Sequence, residues 1–154
     1  MNEHDSHVND LLLEIFENIL VTEQKALRRG SFSDLSIAEM HTLEGIGLYD
    51  THTMSETAAR LEITTGTLTV AVDKLVKKGY VERLRDEADR RIVRVCLTRK
   101  GKLAYRMHTK FHTLLVERLL LPLDDSGRRT LVQTLETISA FTREQYRRYN
   151  ITEN

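Results

Sequence analysis

The chain has 154 residues, of which 40% are apolar and 30% are charged, with equal numbers of acidic and basic side chains. This length can bury one hydrophobic core, whereas no apolar run reaches the roughly 18 residues of a membrane-spanning helix, so we expect a cytoplasmic protein with no membrane partner. The polar, acidic start of the sequence is unlike a signal peptide, and a single cysteine excludes an internal disulfide framework.

The charge is distributed unevenly along the chain. Residues 1–62 carry 4 basic and 12 acidic side chains, whereas residues 63–106 carry 12 basic and 5 acidic ones, a net charge of +7. A basic segment inside a neutral protein predicts a local binding surface for a phosphate backbone. On charge alone, a solvated charged face explains the segment equally well.

The first sixty residues predict three helices. Apolar residues at helical spacing indicate an amphipathic helix over residues 8–29. Ser36, with Glu39 three residues later, has the pattern of a capping box and begins a second helix. The positions of that helix expected to point inward are Met40, Leu43 and Ile46. Thr53 or Ser55 begins a short third helix.

A fourth helix is predicted from an N-cap at Thr64 to Lys78, where Gly79 ends it. Its inward positions are Leu68, Val72 and Leu75. Its outward positions are Gly66, Thr69, Val70, Asp73 and Lys77, with Thr65, Thr67 and Lys74 on the flanks. Two helices joined by a short turn, the second exposing hydroxyls and lysines, are typical of a helix-turn-helix.

A β-hairpin is predicted after the fourth helix, with strands over residues 80–85 and 92–97. A helix-turn-helix followed by a hairpin is a winged helix, so the expected fold class is mainly α with a winged helix-turn-helix. The hairpin turn carries Arg90 and Arg91, flanked by Asp86, Glu87 and Asp89. We expect the arginines to enter the minor groove of DNA, whose negative potential attracts them, with Asp89 holding Arg91 by a bidentate pair.

The predicted DNA-binding residues combine this turn with the fourth helix and its neighbours. They are Thr64, Thr65, Thr67, Thr69, Val70, Lys74, Lys77, Arg83, Asp89, Arg90, Arg91, Arg94 and Lys100. Lys74, Lys77, Arg83, Arg94 and Lys100 are the expected contacts to phosphates.

Long apolar helices are predicted at both ends of the chain. Thr98 caps a helix over about residues 100–121, Pro122 ends it, and Asp124 and Asp125 begin another. The stretches LLLEIF and LLVERLLLPL are more apolar than a small winged helix can cover, which predicts a homodimer. We expect one domain, 1–154, with a dimerisation region over 8–33 and 100–148 and a winged helix-turn-helix over 36–99. A larger monomeric helical core is the alternative.

These motifs resemble those of the MarR family of winged-helix transcriptional regulators. Asp89-x-Arg91, then Leu97-Thr98 and Lys100-Gly101, match the family's wing pattern, and SETAARLEITTGTLTVAVDKLVKKGYVER is typical of its helix-turn-helix. The resemblance implies a dimeric DNA-binding regulator. Val70 stands where many members carry a base-reading arginine, so hydroxyl and methyl contacts from Thr65, Thr67 and Thr69 are expected instead.

Within the family, DLSIAEMHTLEGIG, DRRIV, LTRKGKL and HTKFH are most similar to repressors of fatty-acid-biosynthesis genes in Gram-positive bacteria. This resemblance implies an A/T-rich inverted repeat in double-stranded DNA and long-chain acyl-acyl carrier protein as corepressor, with no required cofactor. The acyl chain is expected between the dimer helices and the DNA-binding lobes. The expected pocket residues are Phe16, Leu20, Met40, His41, Leu43, His108, Phe111 and His112.

A zinc-responsive regulator is the alternative function. His108 and His112 have the i, i+4 spacing at which two imidazoles on one helix can share a metal ion. Together with Glu23 and His41 they resemble one site of the family's zinc-sensing branch, although the additional cysteine ligand of that branch is replaced here by the stretch 28–30. These histidines could equally line a pocket between helices or bond to the second helix.

No catalytic function is expected. The sequence lacks the G-x-G-x-x-G, P-loop, G-x-S-x-G and H-E-x-x-H motifs. Cys96 lies in the second hairpin strand, where a cysteine is usually packed, so redox sensing is not expected either. A helical interaction protein that does not bind DNA would leave Arg90, Arg91 and the basic segment unexplained.

Overall fold

The computed structural model describes residues 2–86 and 88–151, with side chains as far as Tyr149. Within these residues, six helices and three short strands confirm the predicted mainly α winged-helix fold. The elements in chain order are α1 (Glu3–Arg29), α2 (Ile37–Ile46), β1 (His52–Thr53), α3 (Met54–Arg60), α4 (Thr65–Lys77), β2 (Val81–Arg85), β3 (Val93–Leu97), α5 (Arg99–Leu120) and α6 (Asp125–Ile151).

The chain divides into two compact units, residues 1–110 and 111–154. The first unit contains α1 to α4, the strands and the first half of α5, and the second contains the rest of α5 and α6. The predicted grouping of residues 8–33 and 100–148 into one dimerisation region stays a prediction.

Local capping determines where the helices begin. The predicted box at α2 is confirmed, because Ser36 N donates to Glu39 Oε2 at 2.8 Å and Glu39 N donates to Ser36 Oγ at 3.2 Å. Thr53 rather than Ser55 caps α3. An additional box between Asn2 and Asp5 starts α1 five residues before the predicted position. Each box satisfies amide hydrogens that the first helical turn leaves unpaired.

The core of the first unit is built from the faces predicted to point inward. Met40, Leu43 and Ile46 of α2 are fully buried, as are the inward residues of α4: Leu68, Val72 and Leu75. Tyr80, just before the hairpin, and Val95, within its second strand, complete the core. The inner face of α4 packs into this core, and most of its outer face is left to solvent.

The sheet contains one strand more than the sequence predicts. β2 and β3 pair antiparallel in the register Val81↔Leu97 to Arg85↔Val93, which confirms the hairpin, here called the wing (residues 81–97). The two-residue strand β1 pairs with the other edge of β3, giving the order β1-β3-β2. Two residues are too few to show the alternation by which a strand is recognised in a sequence.

The second unit presents an apolar helical surface. Asp124 Oδ1 accepts from Gly127 N at 2.7 Å and starts α6 just after Pro122, as predicted. The large apolar residues exposed on α6 include Val132, Leu135, Ile138 and Phe141. In the part of the chain that the structure describes, no helix has both the length and the apolarity needed to cross a bilayer.

Candidate nucleic-acid interface

The outer face of α4 presents a mixed polar and apolar surface. Thr64 caps the helix, and Gly79, with a φ of +77°, turns the chain away after it in a conformation that favours glycine. Val70 is 57% exposed in the middle of this face. Lys74 and Lys77 are exposed in the last turn, where positive charge is favoured by the helix dipole. All the predicted DNA-binding residues of α4 therefore lie on its exposed side.

The threonine hydroxyls at the start of α4 are not equivalent. Thr67 N donates to Thr64 Oγ1 at 3.1 Å, and the two hydroxyl oxygens of this pair lie 2.9 Å apart, where either can be the donor. Thr69 Oγ1 donates to the backbone oxygen of Thr65 at 2.7 Å. The hydroxyl hydrogen of Thr69 is therefore used inside the helix.

The turn of the wing is held by Asp86. Its Oδ1 accepts from the backbone amides of Ala88 and Asp89 at 2.9 and 3.2 Å, and its Oδ2 accepts from Arg94 Nε at 2.6 Å. The bond from Arg94 is the main reason that the pKa of Asp86 is lowered. Arg94, predicted to contact phosphate, thus braces the turn. Glu87, which the sequence places beside it, lies outside the described residues.

Arg91 projects from this braced turn into solvent. Its side chain is 92% exposed. Asp89 Oδ1 accepts from both the backbone N and the Nε of Arg91, at 3.0 and 3.3 Å. Both bonds end on one carboxylate oxygen, so the contact differs from the expected bidentate pair, although it directs the arginine in the same way. Arg90 is also exposed.

Two other predicted phosphate contacts already have partners within the protein. Arg83 NH1 lies 2.6 Å from Asp73 Oδ1 and so joins β2 to α4. Lys100 Nζ donates to the backbone oxygen of Lys78 at 3.0 Å and lies 3.9 Å from the centre of the Tyr80 ring. These contacts position α4 and the wing relative to each other and leave Lys74, Lys77, Arg90 and Arg91 as the more available cations.

A polar network at the end of α4 was not predicted from the sequence. Tyr80 Oη donates to Asp34 Oδ1 at 2.5 Å, and Lys78 Nζ donates to both oxygens of Glu39 at 2.8 Å. Lys78 also bonds to the backbone oxygen of Asp34. The partners are about forty residues apart in the sequence, so no local motif announces them.

The network shifts the titration of its members. The bond from Tyr80 lowers the pKa of Asp34, and Lys100 contributes in the same direction. Burial and the bond to Asp34 raise the pKa of Tyr80. Burial alone would raise the pKa of Glu39, but the bonds from Lys78 and Ser36 outweigh it and lower that pKa. The folded state therefore favours ionised carboxylates here.

The predicted effector residues lie in different surroundings. Phe16 and Leu20 are more than half exposed on α1, whereas Met40 and Leu43 are fully buried in the core. Exposed His41 borders a groove of about 960 Å³ between α2 and α4. Phe111 and His112 belong to the second unit, where their ring centres are 5.5 Å apart. The acyl-chain pocket stays a prediction.

Three of the four predicted metal ligands come together in the first unit. The ligand atoms of Glu23, His41 and His108 all lie within 4.8 Å of one another, and Glu23 and His108 are buried. His108 Nε2 is 3.8 Å from Glu23 Oε1 and 3.5 Å from Glu44 Oε1. Glu44 was missed because a lone glutamate on an amphipathic helix has no signature. Two imidazoles with a carboxylate are a ligand set that zinc accepts.

The exposed α4 and the arginine-bearing wing define a DNA-binding transcriptional regulator rather than an enzyme. Comparison with known proteins agrees with this class. The MarR family profile matches residues 35–93. FabT of Streptococcus pneumoniae, solved in complex with DNA, is 37% identical over 90% of this chain and 97% of that one, with a TM-score of 0.80. A mutant of MarR from E. coli, complexed with operator DNA, is 25% identical over 90% of this chain and 99% of that one, with a TM-score of 0.62.

A relative of known sequence matches over a shorter region. The HTH-type transcriptional regulator SarZ of Staphylococcus saprophyticus is 39% identical over 69 residues, which are 45% of this chain and 47% of that protein. The match thus spans about half the length of that relative. On the near-complete match to FabT and the family profile together, the chain belongs to the MarR family of DNA-binding transcriptional regulators.

Proposed function

We propose that the protein is a homodimeric repressor of fatty-acid-biosynthesis genes that binds an A/T-rich inverted repeat, with long-chain acyl-acyl carrier protein as corepressor. The observation that carries the proposal is the pairing of an exposed α4 with a braced wing whose Arg91 is 92% exposed. The 37% identity with FabT, solved in complex with DNA, supports the choice of subfamily.

DNA binding would place α4 in the major groove and the wing over the adjacent minor groove. The N-terminal part of a recognition helix reaches base edges, and in this chain that part carries Thr65, Thr67 and Thr69. Lys74 and Lys77 lie further along the helix, where they would contact phosphates. Arg91 would enter the minor groove, which is narrow and strongly negative in A/T-rich DNA.

Dimerisation would cover the exposed apolar surfaces of the chain. Leu121 and Phe141 of the second unit are 73% and 61% exposed, and Phe16 of α1 is 57% exposed. A monomer rarely leaves so many large apolar side chains in water, and burial stabilises by about 25 cal/mol per Å². A two-fold dimer presents two α4 helices symmetrically, which requires an inverted repeat with half-sites about one DNA turn apart.

The acyl chain supplies the regulatory free energy in this proposal. Each buried CH₂ contributes about 0.8 kcal/mol, so a long chain stabilises the complex far more than a short one. The acidic carrier would dock on a basic surface outside the DNA-contacting residues of α4 and the wing, because a corepressor must leave those residues to the operator. By linkage, a carrier that tightens operator binding is itself bound more tightly by the DNA-bound repressor.

The test is selection of a duplex from random DNA, followed by titration of that duplex with the protein and a series of acyl-acyl carrier proteins. We expect an inverted repeat, protein bound as two chains, and operator affinity that rises with acyl length. A short asymmetric site bound by one chain contradicts the dimer. An affinity that is identical with free and long-chain carrier contradicts the corepressor.

Zinc response is the second candidate, favoured by the approach of Glu23, His41 and His108 within 4.8 Å. These residues join α1, α2 and α5, so an ion held by them would fix three helices of the first unit together. The bound ion needs neutral imidazoles and an ionised carboxylate, and it would stabilise whichever arrangement of α4 those helices support.

A further inference from the structure

Thr69 and Val70 are neighbouring exposed residues of α4 with opposite chemistry. Val70 is 57% exposed, so its two methyl groups are available to a partner. Thr69 is also exposed, and both lie in the first two turns of α4, within reach of base edges in a helix that enters the major groove.

The hydroxyl of Thr69, bonded as it is within the helix, can act only as an acceptor toward an outside partner. Its hydrogen is donated to the backbone oxygen of Thr65 at 2.7 Å, which leaves the oxygen lone pairs for any outside partner. Lone pairs cannot bond to phosphate oxygens, nor to the acceptor atoms N7, O6 and O4 of bases. Thr69 in this state requires a hydrogen-bond donor on the DNA.

The other hydroxyl pair of α4 provides the contrast. The hydroxyl oxygens of Thr64 and Thr67 lie 2.9 Å apart and form one hydrogen bond, in which either hydroxyl can be the donor. One hydroxyl hydrogen of this pair is therefore left to point outward. That hydrogen can be donated to a phosphate, so the pair suits backbone contact, which Thr69 does not.

The major groove offers only two kinds of donor, the N6 amino group of adenine and the N4 amino group of cytosine. An apolar side chain beside the acceptor favours the C5 methyl group of thymine, which a C·G pair lacks. We propose that Thr69 and Val70 together select A·T pairs in each half-site, with Thr69 accepting from adenine N6 and Val70 contacting a thymine methyl. This inference rests on the proposed DNA-binding function and assigns its base preference to two residues.

The experiment uses the full chain and the duplex selected from random DNA. Each adenine of a half-site is replaced in turn by purine, which lacks the N6 amino group, and each thymine by uracil, which lacks the methyl group. For the wild type we expect about fivefold weaker binding at one purine position, as for one lost hydrogen bond, and about fourfold at one uracil position, as for one unburied methyl.

The matched variants are Thr69→Val, Thr69→Ser and Val70→Ala. Thr69→Val should bind the parent duplex more weakly and lose nothing further with purine, whereas Thr69→Ser should keep the sensitivity of the wild type to purine. Val70→Ala should be insensitive to uracil. The dependence of log K on log salt should be the same in Thr69→Val and wild type, because no phosphate contact is removed.

Two outcomes would overturn the inference while leaving DNA binding intact. One is a Thr69→Val variant as sensitive to purine as the wild type at every position. The other is a shallower salt dependence in that variant, which would make Thr69 a phosphate contact. A wild-type protein that binds no duplex would overturn the proposed function and this inference together.

Discussion

Arg91 is the residue whose environment best separates a DNA contact from an ordinary surface charge. Its side chain is 92% exposed, while its backbone N and its Nε both donate to Asp89 Oδ1 and so fix the direction of the side chain. An exposed arginine that is also directed loses less conformational entropy when it binds than a free one does. Stabilisation of the fold does not account for this arrangement, because exposed ion pairs contribute little to the free energy of folding.

Arg91→Ala should weaken operator binding by about 1–3 kcal/mol, or roughly 5- to 150-fold, and leave the thermal transition unchanged. Titration of the selected duplex at several salt concentrations measures both the affinity and the salt dependence. Arg129→Ala, which removes one exposed positive charge from α6, is the control and should bind nearly as well as the wild type. Equal losses of operator affinity in the two variants would show that Arg91 acts only through its charge and makes no specific contact at the wing.

Tyr80 and Asp34 make a second residue-level prediction, which concerns stability. The pKa of Asp34 is lowered in the folded state, so its contribution to the free energy of unfolding is present above its ordinary pKa and is lost as the pH falls through the lowered value. The Asp34 side chain is 46% exposed, so solvent reduces this contribution. The contribution should therefore be complete at pH 7, begin to fall below about pH 4 and be lost only below the lowered pKa.

Tyr80→Phe should lower the free energy of unfolding by about 1 kcal/mol at pH 7 and by less at pH 3, which lies below the ordinary pKa of an aspartate carboxyl group and so removes part of the contribution. Urea titrations at the two pH values measure the difference. Tyr49→Phe removes a hydroxyl that accepts from Arg106 NH2 at 3.2 Å on a side chain 75% exposed, and it should cost little at either pH. An identical deficit of Tyr80→Phe at both pH values would exclude the ionised Asp34 as its partner.

At the level of elements, the sequence predicts those features that depend on residues close together along the chain, namely the starts of helices and their inward faces. The starts of α2 and α4 follow from Ser36 and Thr64, whose side chains bond within four residues. The inward faces follow from helical spacing. By contrast, β1 depends on an edge of β3 some forty residues away, and the bonds of Tyr80 to Asp34 and of Arg83 to Asp73 depend on the packed fold.

The same limit applies to the candidate site. The sequence could place the DNA-binding threonines and arginines on one helix and one turn, because both elements are local. It could not show that Arg83, Arg94 and Lys100 have partners within the protein, nor that the hydroxyl of Thr69 donates its hydrogen to the helix backbone. Availability of a cation for phosphate is a property of the packed fold rather than of its sequence motif.

The joint between the wing and α5 should be intolerant of even one methyl group. A Cβ on Gly101 would lie 2.1 Å from the backbone oxygen of Tyr80. A backbone atom cannot relieve this clash by a change of rotamer, as a side chain could. Gly101→Ala should lower the free energy of unfolding by about 1–3 kcal/mol.

Gly66→Ala is the matched control for this element-level prediction. It lies in the first turn of α4, and its added Cβ would meet nothing closer than Thr64 Oγ1 at 3.8 Å. It should be neutral or stabilise by up to about 1 kcal/mol, because alanine has less backbone freedom to lose. Urea unfolding of both variants checks the pair, and equal effects would show that the packing of Gly101 is looser than the structure indicates.

For the whole molecule, an acyl chain and zinc are the two candidate ligands that would shift the equilibrium between DNA-binding states. The two candidates act through different chemistry. An acyl chain gains about 0.8 kcal/mol per buried CH₂ and needs no lone pair from an imidazole. Zinc depends on Glu23, His41 and His108, whose imidazoles must be neutral, so its effect should weaken at acid pH, where protons compete with the metal ion.

We expect the acyl chain to be the signal, so operator affinity should follow acyl length at both pH 7.5 and pH 5.5 and should not respond to a chelator. His41→Ala removes the exposed member of the cluster without opening the core, and the double variant His108→Ala/His112→Ala removes both imidazoles of α5. The response to long-chain acyl carrier should survive in His41→Ala.

If instead a chelator weakens operator binding irrespective of acyl length, and both histidine variants abolish that sensitivity while still binding the selected duplex, the regulator responds to metal. A ligand can shift the DNA-binding equilibrium only by its difference in affinity for the two states. The change in operator affinity that each ligand causes therefore measures how strongly its site is coupled to α4.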